Sequence, residues 1–278
     1  MATITAADIN KLRQQTGAGM MDCRKALVEN DGDFEKAIDF LRKKGQKVAA
    51  LRSDRETKEG VVIAKTADDH TAGVIICLSC ETDFVAKNQD FIAFGQSVAD
   101  LALSVKADSL EALSAASLDG ATVADKLNDQ VARIGEKITL SRFERVEAGY
   151  VTAYIHGNYR IGVLAGFTKA VDAEAAKDIT MQIAAMNPVA THADAVAPEV
   201  VEREKAIVLE QIKNDPKMAG KPDAMLDKIA EGKLNAFFKE NTLLAQAFVK
   251  DSSKSVADYL KSVDAEASIT EFRRVAIG

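Results

Sequence analysis

The sequence is poor in the residue types that mark most recognisable sites. Among 278 residues there is no tryptophan, and aromatic residues reach only 5%, so a ring in a loop stands out against an aliphatic background. The cysteines are three, Cys23, Cys77 and Cys80, an odd and small number that argues against a disulfide framework. The histidines, His70, His156 and His192, are scattered, and no H-E-x-x-H pattern gathers them into a metal site. No phosphate-binding G-x-x-x-x-G-K-[ST] occurs, and Gly17-Ala18-Gly19 lacks the third glycine and the preceding strand of a dinucleotide fold. No apolar run approaches the ~20 residues that a bilayer crossing needs. The start, Met1 to Asp8, has neither the basic residues nor the apolar stretch of a signal peptide. The formal net charge of −6 argues against a protein that coats nucleic acid. These absences predict a soluble, cytoplasmic binding protein that is not an enzyme, holds no cofactor or metal, and binds neither nucleotide nor membrane.

What is present leans towards helix, because Ala, Lys and Glu are plentiful and lose little side-chain freedom in a helical turn. Residues 1–52 read as a small three-helix domain. Thr5 and Asp8 form a capping box, Ile9 and Leu12 begin an apolar stripe, and Gly17 closes the first helix. Asp22 is expected to cap a second helix, with Cys23, Ala26 and Leu27 on one face. Asp33 is expected to cap a third, with Phe34, Ala37, Ile38 and Leu41 at helical spacing and Gly45 as its stop. Residues 50–60 read as a charged linker. The period then shifts to that of a β-hairpin, 61–66 and 73–80, followed by a helix carrying Phe91, Phe94, Val98, Leu101, Ala102 and Val105, and by two shorter helices ending at Gly135. The hairpin-then-helix pattern recurs with strands 149–155 and 160–167 and a helix over 173–186.

All four prolines fall between Pro188 and Pro222, around helix-forming runs at 199–213 and 223–239 and a turn with Pro216 and Gly220. Proline is tolerated at a helix start and not inside one. This stretch therefore reads as an antiparallel helical hairpin inserted into the second subdomain, with a surface suited to a partner or a second copy of the chain. A strand at 267–277 is expected to rejoin the second sheet. The fold class is α+β. Its limits are 1–52 for the helical domain, 57–145 for the first core subdomain, 146–187 with 240–278 for the second, and 188–239 for the arm.

Three segments invite a functional reading. Met20-Met21 places two adaptable apolar residues between helices, and both cannot face one small core. Thr82-Asp83-Phe84-Val85 puts a ring at a tip after a strand. From composition alone, Phe84 is expected to pack locally. The basic run from Arg42 to Lys58 supports an alternative, a nucleic-acid or ribosome-associated protein, although Asp54, Glu56 and Glu59 dilute it and no aromatic residue interleaves. Cys77 and Cys80 match C-x-x-C, but three residues apart on a strand they point to opposite faces and read as core filling.

At several of these residues the chain resembles the bacterial translation elongation factor Ts family. Leu12-Arg13 and Thr16 through Cys23, with Lys25-Ala26-Leu27, resemble its N-terminal signature. Cys80 through Lys87 resemble a second signature, and Tyr154 through Gly157 with Arg160 through Leu164 a third. Gly220-Lys221-Pro222, Glu231-Gly232-Lys233 and Gln246 through Val249 resemble the family's helical arm and its return. The resemblance implies a UBA-like N-terminal domain, a coiled-coil arm that can dimerise, and a GTPase partner, elongation factor Tu, whose nucleotide exchange is promoted without a cofactor. It also implies contact roles for Leu12, Arg13, Met20 and Met21 in the N-terminal domain. The loop of Thr82, Asp83, Phe84 and Val85 would sit beside the partner's Mg²⁺ and phosphates, and His156 and Gly157 would lie against another domain of the partner. Many family members continue past the last strand with a further contact helix. Here the sequence given ends at Gly278, which shifts the expected weight of binding towards the N-terminal domain.

Overall fold

The computed structural model describes residues 4–218 and 221–278; Met1, Ala2, Thr3 and the expected turn residue Gly220 lie outside the described residues. The architecture is mixed helix and sheet, with two three-stranded antiparallel sheets at its centre.

The chain opens with α1 (Ala6–Thr16), which begins as the sequence predicts. The Thr5 hydroxyl and N–H both donate to the Asp8 carboxylate, while the Asp8 N–H returns a bond to Thr5 Oγ1. Gly17 ends it in the left-handed region, φ 68°. α2 (Met20–Glu29) starts earlier than expected. Its N-cap is Gly19, so Asp22 lies inside the first turn and pairs with Lys44 instead of capping. α3 (Phe34–Leu51) is capped by Asp33 as expected but runs straight through Gly45. The reason is packing. A Cβ at Gly45 would stand 2.9 Å from the Asn128 carbonyl oxygen and 3.1 Å from the Ala132 Cβ, so the glycine admits a neighbouring helix and does not stop its own. The predicted linker therefore shrinks to a turn after Leu51. Leu12, Cys23, Ala26, Leu27, Ala37 and Leu41 form the small core of this triplet.

Next come β1 (Glu59–Thr66), β2 (Ala72–Cys80), α4 (Asp83–Ala86), α5 (Gln89–Ser104), α6 (Leu110–Ala115), the two-residue strands β3 (Ser117–Leu118) and β4 (Ala121–Thr122), α7 (Val123–Ile134) and β5 (Thr139–Glu147). Val105, expected on the buried face of α5, is at its C-cap and exposed. β5 is absent from the sequence reading. It carries Arg142, Glu144, Arg145 and Glu147, and a bulge shifts its register against β2 between Cys77 and Leu78, which breaks the two-residue alternation that announces a strand. The sheet order is β1-β2-β5. Every residue of β2 is buried because both faces are covered. Val74, Ile76, Leu78 and Cys80 meet Phe91 and Val98 of α5, while Ile75 and Cys77 face the second sheet. The two thiols thus diverge, as strand geometry predicts.

The second half contains β6 (Tyr150–His156), β7 (Ile161–Phe167), α8 (Ala173–Met186), α9 (Pro198–Asn214), α10 (Asp223–Asn241), β8 (Ala247–Phe248), β9 (Asp251–Ser255), α11 (Val256–Val263) and β10 (Ile269–Ala276). β10 returns beside β7, giving the order β10-β7-β6. The two sheets pack face to face through Val62, Ile75 and Val146 against Val151, Leu164 and Val275. Glycine permits the approach, since a Cβ at Gly73 would lie 2.7 Å from Leu164 Cδ2 and one at Gly162 would lie 2.5 Å from Val62 Cγ1. α9 and α10 form the antiparallel arm, with Pro198 at the start of α9. Only Val208 and Ile212 of α9 are buried there, and no residue of α10 is. Among the described residues no helix is long and apolar enough to cross a membrane.

Candidate functional site

After β2 leaves the sheet, Thr82 takes an extended conformation and caps α4, a helix of only four residues. Ala86 turns inward and anchors the turn to the first core, which forces its neighbour two positions back outward. Phe84 is consequently 83% exposed. The expectation of local packing from composition is therefore wrong for this ring. In this four-residue helix Val85 and Ala86 take the side that packs on the first core, and Phe84 is left on the outer side.

The base of this tip is held by two carboxylates from opposite segments. Glu136, in the α7–β5 turn, accepts the N–H groups of Glu81 (3.1 Å) and Thr82 (3.0 Å) and the Thr82 hydroxyl (2.6 Å). Glu81 in turn accepts the Lys137 N–H at 2.6 Å and pairs with Arg52 and Arg55, each at 2.9 Å. Partial burial pushes Glu81 up, but the Lys137 N–H, Arg55 and Arg52 together outweigh it and hold the carboxyl down at about 2. On the tip itself, Lys87 donates to Asp83 at 2.6 Å and keeps that carboxyl below the usual range.

Phe84 and Val85 form one wall of an open groove of about 860 Å³. The facing wall comes from the helical triplet, with Arg13, Gly17, Ala18, Gly19 and Met20, and Arg133 and Ile134 of α7 close the floor. α3 sets the distance between the walls. Its first half belongs to the triplet, while Val48 and Ala49 pack on the first core beyond Gly45. Met20 and Met21 are 55% and 71% exposed in the first turn of α2, so both face outward. Leu12, expected among the contact residues, is fully buried in the triplet core, where it holds together the module that carries Arg13 and Met20.

His156 and Gly157 lie outside the groove, at the β6–β7 turn. Gly157, Asn158 and Tyr159 are all left-handed there, and Tyr159 folds back so that its carbonyl accepts the Val62 N–H at 2.8 Å. His156 is exposed, with Nδ1 3.0 Å from the Tyr154 hydroxyl. Arg133, Ile134 and Glu136 escaped the sequence reading. For Glu136 no local signal exists, because its partners are more than fifty residues away.

The basic run is partly neutralised. Lys44 pairs with Asp22, Arg52 and Arg55 with Glu81, and Lys58 with Glu56, so four of the seven cations from Arg42 to Lys58 are engaged by carboxylates. The nucleic-acid alternative is not favoured. Among the described residues no cluster of His, Cys, Asp and Glu is spaced to hold a metal ion. Cys80 is pushed up to about 12 by burial and by the nearby Glu136 charge, so its thiol stays protonated and unreactive at neutral pH.

An apolar ring held out on a clamped base, with exposed Met20 across the groove from it, is the geometry of a protein that docks onto another surface. The comparisons with known proteins agree. Residues 81–278 match the family model described as Elongation factor TS. The chain is 52% identical to an elongation factor Ts of Christiangramia forsetii and 50% identical to one of Flavobacterium psychrophilum, in both cases over the full length of each protein. It is 43% identical to that of Porphyromonas gingivalis over 99% of this chain and 98% of the relative. The chain belongs to the elongation factor Ts family of translation factors.

Proposed function

We propose that the protein binds elongation factor Tu in its GDP form and accelerates release of the nucleotide, so that GTP can enter. The observation that carries this reading is the 83% exposed ring of Phe84 on a base tied down by Glu136 and Glu81. A bound nucleoside diphosphate is retained by Mg²⁺ and by backbone dipoles around its phosphates. A wedge that displaces those elements raises the energy of the nucleotide-bound state without touching the nucleotide. Linkage makes the effect reciprocal, so bound factor weakens GDP by the factor with which GDP weakens bound factor. Nucleotide supply then sets the net direction, and no reaction is catalysed by this chain.

In this reading the Phe84 ring is the wedge, and Thr82 and Val85 shape its base and flank. Asp83 approaches the partner's metal site once its bond to Lys87 opens. Arg13, Met20 and Met21 of a UBA-like domain, residues 1–52, dock on the GTPase domain, while His156 and Gly157 reach a second domain of the partner. Residues 57–145, and 146–187 with 240–278, act as the rigid body that spaces these contacts. The arm at 188–239, a short coiled coil, offers a surface to a second copy through Ile207, Leu209 and Met225, which are exposed. The site of action is the cytoplasm, where translation takes place.

Stopped-flow release of a fluorescent GDP analogue tests the wedge. Phe84→Ala should slow factor-stimulated release about 30-fold, the scale expected when a central aromatic anchor worth about 2 kcal/mol is removed. Thermal stability should stay unchanged, since the ring has little to lose from its own fold. Unaltered release would reject the reading. Co-purification with elongation factor Tu should weaken when GDP is added in excess.

A further inference from the structure

We infer that Glu136 is the positioning residue of the Phe84 tip, so that the reciprocal pair it forms with Glu81 sets how effectively the wedge acts; this deepens the reading above and rests on it. Two segments meet here, the end of β2 and the turn between α7 and β5. Each contributes a carboxylate to the other's backbone. Glu136 accepts the N–H groups of Glu81 and Thr82, and Glu81 accepts the N–H of Lys137. Glu136 also accepts the Thr82 hydroxyl, whose oxygen caps the first turn of α4 by accepting the Val85 N–H at 3.5 Å. A single carboxylate therefore fixes the exit direction of the strand, the rotamer of the cap and, through the cap, the helix that carries Phe84. Charge-assisted bonds of this kind are stronger than neutral ones and hold narrower geometry.

The arrangement has a mechanical logic. A ring that enters a partner transmits force only if its base resists. Ala86 is buried and Val85 packs beside it on the first core, which holds the inner side of the tip, but the cap bond to Val85 is long and the Phe84 side is left open to solvent. Further stiffness comes from outside the tip, from Glu136, and is passed on through Glu81 to Arg52 at the α3 C-cap and Arg55 just beyond it. Those arginines belong to the segment that carries the facing wall of the groove, so one network joins both walls. Glu136 is not among the groove's lining residues, and both of its carboxylate oxygens are engaged by Glu81 and Thr82, so the route from it to Phe84 runs through Thr82.

Glu136→Ala and Glu136→Gln separate this role from a merely structural one. Glutamine can still accept the two N–H groups through its carbonyl oxygen and donate to Thr82; alanine can do neither. Amide hydrogen exchange on the intact chain should rise about tenfold at Thr82 through Lys87 in Glu136→Ala and less in Glu136→Gln, with the amides of α8 unchanged. In nucleotide release from the GTPase, the saturated rate should fall in the order wild type, Gln, Ala, while the half-saturating concentration of factor stays the same. Loop amides as protected in Glu136→Ala as in wild type would overturn the inference, as would a loss confined to half-saturation. If Glu136→Ala does not fold, the Gln variant supplies both readouts. Phe84→Ala serves as the control. If it leaves release untouched the wedge itself is wrong, whereas a slow Phe84→Ala beside a fully active Glu136→Ala sinks only the positioning role.

Discussion

The Phe84 tip and the helical arm both show apolar side chains to solvent, yet they are built in opposite ways. The tip is four residues long and is held from outside by two carboxylates and two arginines. The arm spans two long helices whose buried residues are only Val208 and Ile212, with half-buried Leu226, Ile229, Leu234 and Phe237 of α10 beside them. A short element with a charged clasp keeps one ring in one place. A long element with a thin seam offers area, and its local stability is low because few buried contacts oppose fraying. The first design suits a wedge and the second an adaptable contact.

Changes that press on this contrast can be ordered by size. Gly45→Leu should have the largest effect. Its Cβ meets the Asn128 carbonyl at 2.9 Å, a backbone atom that cannot swing aside, and overpacking of this kind costs about 3 kcal/mol. The helical triplet should loosen from α7, with faster hydrogen exchange across α3 and α7 and an arm that melts as before. Ile212→Ala should cost about 2 kcal/mol, at the low end for a buried isoleucine, and the loss should stay in the arm. Helical circular dichroism and proteolysis of residues 198–241 would register it, and a matching loss in the core would show that the arm is not independent.

Acid should release the tip before the arm. Glu81 has an ordinary value of 4.5 in the unfolded chain and about 2 in the fold. A carboxyl with a depressed folded value contributes stability that is complete above 4.5 and disappears as pH falls towards 2. Amide protection at the tip should therefore decline across that window, and Glu81→Gln should remove the dependence. The smallest effect is expected from Met225→Ala on the exposed side of the arm, within about 0.5 kcal/mol in stability. Sedimentation of this variant would show whether the side chain matters to association between copies.

Local chemistry was readable from the sequence wherever it acted locally. The Thr5–Asp8 box, the Asp33 cap, both hairpins, α8 and both arm helices follow from caps, turns and periodicity within a few residues of one another. Gly45 was misread because a glycine after an amphipathic stretch looks like a C-cap, and only the presence of α7 reveals a packing role. β5 was hidden by its charges and its bulge. The Thr82 to Val85 tip was visible, but the exposure of Phe84 was not, since it depends on Val85 and Ala86 taking the side that packs on the first core. From the signature, the burial of Leu12 was equally out of reach, because a match carries no information on which of its residues point into the module.

The glycine sockets between the sheets reach further than the space they leave. Leu164 occupies the hollow above Gly73, and Val62 the hollow at Gly162. The two halves are thus keyed like a lock and its matching ward, and sliding one past the other by a single residue would drive side chains into backbone. Each half keeps a core of its own, and the layer they share, Val62, Ile75 and Val146 against Val151, Leu164 and Val275, would be exposed on either half alone, so separating the two would cost that burial.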